Sequence, residues 1–171
     1  MSENTPNDAR VLFVCMGNIC RSPTAEGVFR ALLAREGLEA RVYVDSAGTG
    51  GWHAGEPPDR RAQAAAKKRG YDLSGQRARQ VTLNDFHHFH VIAAMDEDNL
   101  RHLHSVAPKS HRERVRLLLD FAEPATPVRE VPDPYYGGGD GFDHVLDLVE
   151  AGCEGLLNHV RELLRSGEPS P

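Results

Sequence analysis

The chain has 171 residues, of which 40% are hydrophobic and 26% are charged, and its formal net charge at pH 7 is −5. This composition is typical of a single globular domain that is long enough to bury a substantial core. The negative net charge, together with the lack of a basic cluster interleaved with aromatic residues, argues against nucleic-acid binding.

The first predicted elements surround a cysteine. A polar, flexible N-terminal arm is predicted over 1–9, and an apolar strand follows over 10–15 and ends at Cys15. In the loop after the strand, five residues separate Cys15 from Arg21. The backbone N–H groups of such a strand-to-helix loop converge beside the positive end of the helix dipole. The spacing therefore predicts a cradle for a phosphate-like dianion.

The residue types inside this loop favour a phosphate site over a purely structural role. A buried cysteine at the end of a strand is usually an inert, small hydrophobic residue. Here, however, Gly17 permits a tight turn, Asn18 tolerates left-handed backbone, and Arg21 is costly to bury without an anion. Arg21 can bind two phosphate oxygens through its planar fork, and the positive field favours the thiolate of Cys15.

The rest of the chain alternates between helical and strand patterns. Ser22 is the predicted N-cap of the first helix and Pro23 its first residue. Gly152 and Gly155 are expected to weaken the middle of the last helix. In chain order, the elements predicted after the loop are a helix at 22–36, a strand at 41–46, a loop at 47–58, helices at 60–69 and 83–88, a strand at 90–95, a helix at 97–106, a strand at 115–121, a loop at 122–141 and a helix at 142–165.

This alternation predicts an α/β fold. We expect a three-layer sandwich, in which a four-stranded parallel sheet carries helices on both faces with flavodoxin-like winding. A single domain is predicted over 10–165, followed by a C-terminal tail over 166–171. In such folds the ligand crevice lies beyond the carboxyl ends of the strands, which is where Cys15 falls.

Several motifs in the same order resemble those of the low-molecular-weight protein tyrosine phosphatases, over roughly residues 10–165. The longest is Cys-Met-Gly-Asn-Ile-Cys-Arg-Ser-Pro at 15–23. The others are Asp-Ser-Ala-Gly-Thr at 45–49, Trp52, Ala-Arg-Gln at 78–80, Ala-Met-Asp-Glu at 94–97 and Asp-Pro-Tyr-Tyr at 133–136.

The resemblance implies a phosphatase with a flavodoxin-like phosphatase fold, no cofactor and no metal. Cys15 would attack phosphorus and form a phosphocysteine, while Arg21 and the N–H groups of the loop hold the oxygens. Asp133 would protonate the leaving group and later take a proton from water. By turn chemistry alone, Asp133 would more simply belong to a turn. The phosphate-binding loop consists of Met16, Gly17, Asn18, Ile19, Cys20 and Arg21.

Supporting roles follow from the resemblance as well. Ser22 is expected to donate its hydroxyl to the Cys15 thiolate besides capping the helix, and Asn18 to fix the loop shape together with Ser46. The family often has a histidine before the Ala-Arg-Gln stretch, whereas this chain has Gln76, which can form hydrogen bonds but cannot titrate.

The expected substrate slot is apolar. Trp52, Tyr135 and Tyr136 lie on Gly- and Pro-rich loops, where they are better explained as walls for a phenyl ring than as core residues. Ile19 provides an apolar floor. Cys20 is either a small packed residue or a redox partner that captures an oxidised Cys15.

Other features bear on partners and location. The three cysteines do not suggest a disulfide framework, the first ten residues contain no apolar signal segment, and no apolar run approaches ~18 residues. We expect a cytoplasmic protein without membrane insertion, as a monomer or weak dimer, acting on a phosphotyrosine-containing protein for which a tyrosine kinase is one candidate. A metal site at His87, His88 and His90 is disfavoured by the lack of further ligands at suitable spacing.

Three alternatives remain at this stage. A thioredoxin-coupled arsenate reductase shares the loop, but this chain has no cysteine between Cys20 and Cys153. A phosphoarginine phosphatase tends to have threonine in place of Ile19. A phosphate-binding module without catalysis is disfavoured by the joint presence of four residues: Cys15, Arg21, Ser22 and Asp133.

Overall fold

The computed structural model describes residues 8–135 and 140–166. Strands and helices alternate along this part of the chain, and two 3₁₀ helices, Lys109–Arg114 and Leu118–Phe121, flank the last strand. The elements are β1 (Ala9–Cys15), α1 (Arg21–Arg35), β2 (Val42–Gly48), α2 (Arg60–Lys68), α3 (Leu83–His88), β3 (Val91–Ala94), α4 (Glu97–Val106), β4 (Val115–Leu117) and α5 (Asp140–Ser166).

The four strands form one parallel sheet in the order β2-β1-β3-β4. The chain passes from β1 to β2 on one side and then crosses to β3 on the other side of β1. The carboxyl end of β1 is therefore the point where the winding direction reverses, and a ligand crevice opens at such a point. Cys15 lies there, paired in register with Gly48 of β2.

Helices cover both faces of the sheet. Successive side chains of the central strand β1 point to opposite faces and are buried under helices on each side. On one face, Phe13 of β1 packs in a cluster with residues of α1 and α5. On the other face, Leu12 and Val14 pack with Phe86 of α3 and Leu103 of α4. The predicted three-layer α/β sandwich is thus confirmed.

The last strand is shorter than predicted. The sequence predicts a strand over 115–121, but β4 ends at Leu117, and the next four residues turn into a 3₁₀ helix that packs against α5. A Cβ atom at Gly155 would lie 1.8 Å from the carbonyl oxygen of Phe121. Gly155 therefore permits close contact between α5 and this 3₁₀ helix, at the position where it was expected only to weaken the helix.

The predicted termini fall largely outside the described residues. The predicted arm over 1–9 overlaps β1 at Ala9, and residues 1–7 are not among those described. The predicted tail over 166–171 begins where α5 ends, at Ser166, and the remainder again lies outside. Among the helices of 8–135 and 140–166, none has the length and apolar character needed to cross a membrane.

Candidate active site

The first helix begins one residue earlier than predicted, and this changes the role of Ser22. Cys20 is the N-cap of α1, and its side chain forms no capping hydrogen bond. The prediction that Ser22 caps the helix was therefore wrong. Its hydroxyl lies instead 3.1 Å from the sulfur of Cys15, within hydrogen-bond distance.

The sulfur of Cys15 is buried among hydrogen-bond donors. Besides the hydroxyl of Ser22, the backbone N–H groups of Asn18 and Ser22 donate to it, with nitrogen–sulfur distances of 3.3 and 3.4 Å. Cys15 is only 2% exposed, and the positive end of the α1 dipole lies beside it, with no acidic residue in the first turn. These donors and the helix dipole surround the sulfur with partial positive charge, as at other anion sites beside helix N-termini.

Asn18 fixes the shape of the loop. Its φ of 59° is left-handed, a conformation that asparagine tolerates better than most residues. Its amide nitrogen donates to the hydroxyls of Ser22 at 2.8 Å and Ser46 at 3.0 Å. Its amide oxygen accepts from the backbone N–H of Arg79 at 2.9 Å. One buried side chain thus connects the loop to β2 and to the Ala-Arg-Gln segment.

The hydrogen-bond network continues behind Ser46 to a buried carboxyl that sequence reasoning missed. The Ser46 hydroxyl donates to Glu26 at 2.8 Å, and Arg30 donates to the other oxygen of the same carboxyl at 2.8 Å. Burial raises the pKa of Glu26, although Arg30 and Ser46 act in the opposite direction. Gln76 joins this network, since its amide nitrogen donates to the carbonyl of Pro23 at 3.0 Å and its amide oxygen lies 3.5 Å from the Ser46 hydroxyl.

Arg21 connects the loop to two further segments. One guanidinium nitrogen donates to Asp96 at 2.6 Å and to the carbonyl of Val131 at 3.0 Å, and the other lies 3.7 Å from the carboxylate of Asp133. Burial alone would lower the pKa of Arg21, but the charges of Cys15, Asp96 and Asp133 outweigh it and raise the pKa. The guanidinium therefore stays positive.

Asp96 was not predicted as a site residue. It follows β3 and caps α4, where its second carboxylate oxygen accepts from the N–H of Asn99 at 2.8 Å. The sequence signal was present in the Ala-Met-Asp-Glu motif, which places an aspartate just beyond the carboxyl end of a strand. Its contact with Arg21 depends on tertiary structure.

A cavity of about 250 Å³ opens over the loop. It brings together Cys15, Arg21, Asp133 and three of the four predicted substrate-slot residues. The backbone N–H of Tyr135 donates to Asp133 at 3.0 Å, and Trp52 is 70% exposed at the rim. Tyr136, the fourth slot residue, lies outside the described residues. The lining residues are Cys15, Met16, Gly17, Ile19, Cys20, Arg21, Trp52, His53, Asp133 and Tyr135.

His53 is a lining residue that sequence reasoning missed. Its imidazole Nδ1 lies 3.0 Å from a carboxylate oxygen of Glu56. The ring is close to the loop, since a Cβ atom at Gly17 would meet the imidazole at 3.1 Å. The signal available in the sequence was only its position next to Trp52 on the Gly-rich loop.

The other two cysteines differ from Cys15 in their surroundings. Burial raises the pKa of Cys20, which packs in an apolar cluster with Ile19 and Phe142. Cys153 of α5 lies in the core against Ala25 of α1, and burial raises its pKa as well. All three cysteines are free thiols.

The histidines considered for a metal site have other contacts. His90 accepts a hydrogen bond from the backbone N–H of Arg10 at 3.0 Å, and the ring of His87 packs against His111 at 4.6 Å between centroids. Within 8–135 and 140–166, no three His, Cys, Asp or Glu side chains are grouped so that they could hold a metal ion.

The comparisons with known proteins agree with this geometry. The family model for low molecular weight phosphotyrosine protein phosphatase matches residues 10–166. The chain belongs to this family. It is 45% identical over 152 residues to the low molecular weight protein-tyrosine-phosphatase YfkJ of Bacillus subtilis, covering 89% of this chain and 96% of that protein. It is 42% identical over 149 residues to the Homo sapiens low molecular weight phosphotyrosine protein phosphatase, covering 86% and 92%.

Solved structures of phosphatases share the fold. The crystal structure of YfkJ superimposes with a TM-score of 0.86 at 42% identity, covering 92% of this chain and 98% of that one. A protein tyrosine phosphatase from Entamoeba histolytica gives a TM-score of 0.85 at 40% identity, covering 90% and 97%.

Proposed function

We propose that this chain is a metal-independent protein tyrosine phosphatase, which hydrolyses phosphotyrosine through a phosphocysteine formed on Cys15. The observation that carries the proposal is the cavity at the carboxyl end of β1, which brings a donor-surrounded cysteine together with Arg21 and Asp133. Family membership and the names of the relatives support the same activity.

In the first step, the Cys15 sulfur forms a bond to phosphorus while the bond from phosphorus to the aryl oxygen breaks. The carbonyls of Cys15, Met16 and Ile19 accept hydrogen bonds from Thr49, Gly50 and Asp59, away from the loop centre. Because C=O and N–H point in opposite directions across a trans peptide, the N–H groups that follow are free to face the oxygens of the substrate. Arg21 supplies the planar fork for two of them.

Asp133 completes the first step by giving its proton to the departing oxygen. The phenol of tyrosine has a pKa of about 10 and therefore needs a proton to leave at neutral pH. In the second step a water oxygen attacks phosphorus, and the Asp133 carboxylate takes a proton from that water. The bond between sulfur and phosphorus then breaks and returns the thiolate. Neither step needs a metal ion.

The apolar slot supports an aryl ester as the substrate. Trp52, Tyr135 and Ile19 of the loop all line the cavity. The aliphatic floor of Ile19 offers no hydrogen-bond partner to a guanidinium, whereas a phenyl ring needs none. The proposed partner is therefore a phosphotyrosine-containing protein, with a tyrosine kinase as one candidate.

Side-by-side turnover of phosphotyrosine, phosphoserine and phosphoarginine peptides tests the proposal. We expect phosphotyrosine to give the highest kcat/KM and EDTA to leave it unchanged. Absence of turnover with intact phosphate binding would favour the non-catalytic module, and inhibition by EDTA would contradict metal independence. Arsenate reduction with thioredoxin, measured in parallel, is expected to be absent.

The apolar floor gives a sharper test of substrate class. We expect Ile19→Thr to lower the ratio of kcat/KM for phosphotyrosine to that for phosphoarginine, because a hydroxyl replaces an apolar contact under the ring. A conservative Ile19→Val serves as the control and should leave the ratio nearly unchanged. An unchanged ratio in Ile19→Thr would remove Ile19 from the selectivity argument.

A further inference from the structure

Arg61 is the second residue of α2 and does not line the cavity. Its side chain contacts three residues around it: Asp59, Tyr135 and Phe142. Its guanidinium makes a two-pronged contact with the carboxylate of Asp59, at nitrogen–oxygen distances of 3.1 and 2.9 Å. The guanidinium carbon also lies 5.4 Å from the ring centre of Tyr135 and 4.8 Å from that of Phe142. Both distances are within cation–π range.

One end of this arrangement is fixed to the phosphate loop. The backbone N–H of Asp59 donates to the carbonyl of Ile19 at 2.8 Å. The Asp59 side chain is only 11% exposed and also caps α2 by accepting from the N–H of Arg61 at 2.8 Å. Burial would raise the pKa of Asp59, but its hydrogen bonds with Arg61 outweigh burial and lower it. The guanidinium therefore has a charged, well-anchored partner.

The other end reaches the general acid. Tyr135, whose ring contacts Arg61, donates its backbone N–H to Asp133 at 3.0 Å. On the opposite side, the backbone N–H of Val131 donates to the carbonyl of Met95, directly after β3, at 2.8 Å, and its carbonyl accepts from Arg21 at 3.0 Å. The segment 131–135, called the acid segment here, is thus held at its start by Met95 and Arg21 and at its end by the ring of Tyr135 over Arg61.

We propose that Arg61 is a positioning residue, which holds the acid segment against the phosphate loop and so sets how efficiently Asp133 protonates the leaving group. This inference rests on the proposed function. Arg61 acts through Tyr135 rather than on the substrate, because it does not line the cavity. Its loss should therefore affect the protonation step and leave anion binding by the loop intact.

The test compares Arg61→Met with Arg60→Met on the full-length protein. Methionine keeps much of the apolar stem but has neither the fork nor the charge. Arg60 is the exposed neighbour on the same helix and serves as the matched control. The readouts are kcat/KM for phenyl phosphate and for p-nitrophenyl phosphate, whose leaving group needs little protonation, and the Kd of vanadate followed by the fluorescence of Trp52, the single tryptophan.

We expect Arg61→Met to lower kcat/KM for phenyl phosphate by about three- to tenfold, the size of one or two exposed cation–π contacts. The value for p-nitrophenyl phosphate and the vanadate Kd should stay within about twofold of wild type. Arg60→Met should leave all three unchanged. An equal loss with both substrates would indicate a general structural effect and overturn the inference.

A double-mutant cycle with Tyr135→Ala tests the route of the effect. If Arg61 acts through Tyr135, adding Arg61→Met to Tyr135→Ala should cost nothing further, whereas additive losses would contradict the proposed route. Should Arg61→Met fail to fold, Arg61→Gln carries the same test, because glutamine keeps a polar side chain but has neither the positive charge nor the guanidinium fork. A wild-type protein without turnover of either substrate would instead refute the proposed function.

Discussion

The phosphate loop and the acid segment serve the same cavity but are held in different ways. Most of the loop is buried, and Asn18 fixes it by donating to the hydroxyls of Ser22 and Ser46 and by accepting from the backbone N–H of Arg79. The side chain of Arg21 is 3% exposed, whereas that of Asp133 is 35% exposed. The difference indicates that the oxyanion cradle is preorganised by the core, while the proton donor depends on a few contacts between segments. Substitutions should therefore separate anion binding from leaving-group protonation.

The largest effect is expected from Cys15→Ser, which tests the cradle without its nucleophile. Turnover should fall to background, because serine is a far weaker nucleophile at neutral pH. Binding of inorganic phosphate should persist, since Arg21 and the loop backbone remain. Cys153→Ala, in the core away from the cavity, is the control and should keep turnover. Residual activity close to wild type would rule out the phosphocysteine intermediate.

Asp133→Asn should show that the acid segment contributes chemistry and little anion affinity. Asparagine keeps an oxygen to accept from Tyr135 but has no proton to give. We expect kcat/KM to fall by about 10²–10⁴-fold with a phenol leaving group and much less with a nitrophenol. Phosphate affinity should be nearly unchanged.

The dependence on the leaving group provides a second readout for Asp133. The slope of log kcat/KM against the pKa of the leaving phenol should be steeper in Asp133→Asn than in the wild type, because the variant cannot protonate the departing oxygen. Equal rate losses for all leaving groups would mean that Asp133 is not the acid, and that the segment forms only a wall.

Arg21→Lys changes a residue of the phosphate loop that also contacts the acid segment, at Val131 and Asp133. Lysine keeps the charge but cannot contact two oxygens at once, nor reproduce the contacts with Asp96 and Val131. We expect a loss of roughly 2–4 kcal/mol in transition-state stabilisation, about 30- to 1,000-fold in kcat/KM. Phosphate affinity should fall as well, in contrast to Asp133→Asn. A change within about threefold would contradict the two-pronged role.

The same contrast explains how much the sequence could predict. The phosphate loop lies within a motif of nine contiguous residues, 15–23, so its position after a buried strand and before a helix was predictable. Asp133 was identified only because Asp-Pro-Tyr-Tyr at 133–136 resembles a motif of the family, since the turn chemistry around it favoured a structural role. Asp96 and Arg61 were missed because their contacts with Arg21 and Tyr135 join segments far apart in the chain.

Local rules failed where tertiary contacts compete with them. Ser22 has the residue type and position of a helix cap, but its hydroxyl contacts the buried sulfur of Cys15. The apolar run over 115–121 has the pattern of a strand, yet its second half turns to pack against α5 at Gly152 and Gly155. In each case a contact with a distant element decides the local conformation.

The smallest effect on basal turnover is expected from Cys20→Ser, which tests whether the phosphate loop also protects its own nucleophile. Peroxide would oxidise the Cys15 thiolate to a sulfenic acid, and the Cys20 thiol could capture it as a disulfide with release of water. Because burial raises the pKa of Cys20, little of it is thiolate at neutral pH, and capture should be slow. Catalysis before oxidation should be close to wild type, since the Cys20 thiol carries no step in the reaction.

The difference should emerge after brief peroxide treatment followed by a thiol reductant. Wild type should regain more activity than Cys20→Ser, because a disulfide is reducible and the sulfinic acid that forms without it is not. Raising the pH during treatment should widen the gap, since the thiolate of Cys20 becomes more populated. Cys153→Ala controls for general thiol effects and should recover like wild type. Equal recovery in Cys20→Ser at both pH values would make Cys20 a packing residue beside Ile19 and Phe142.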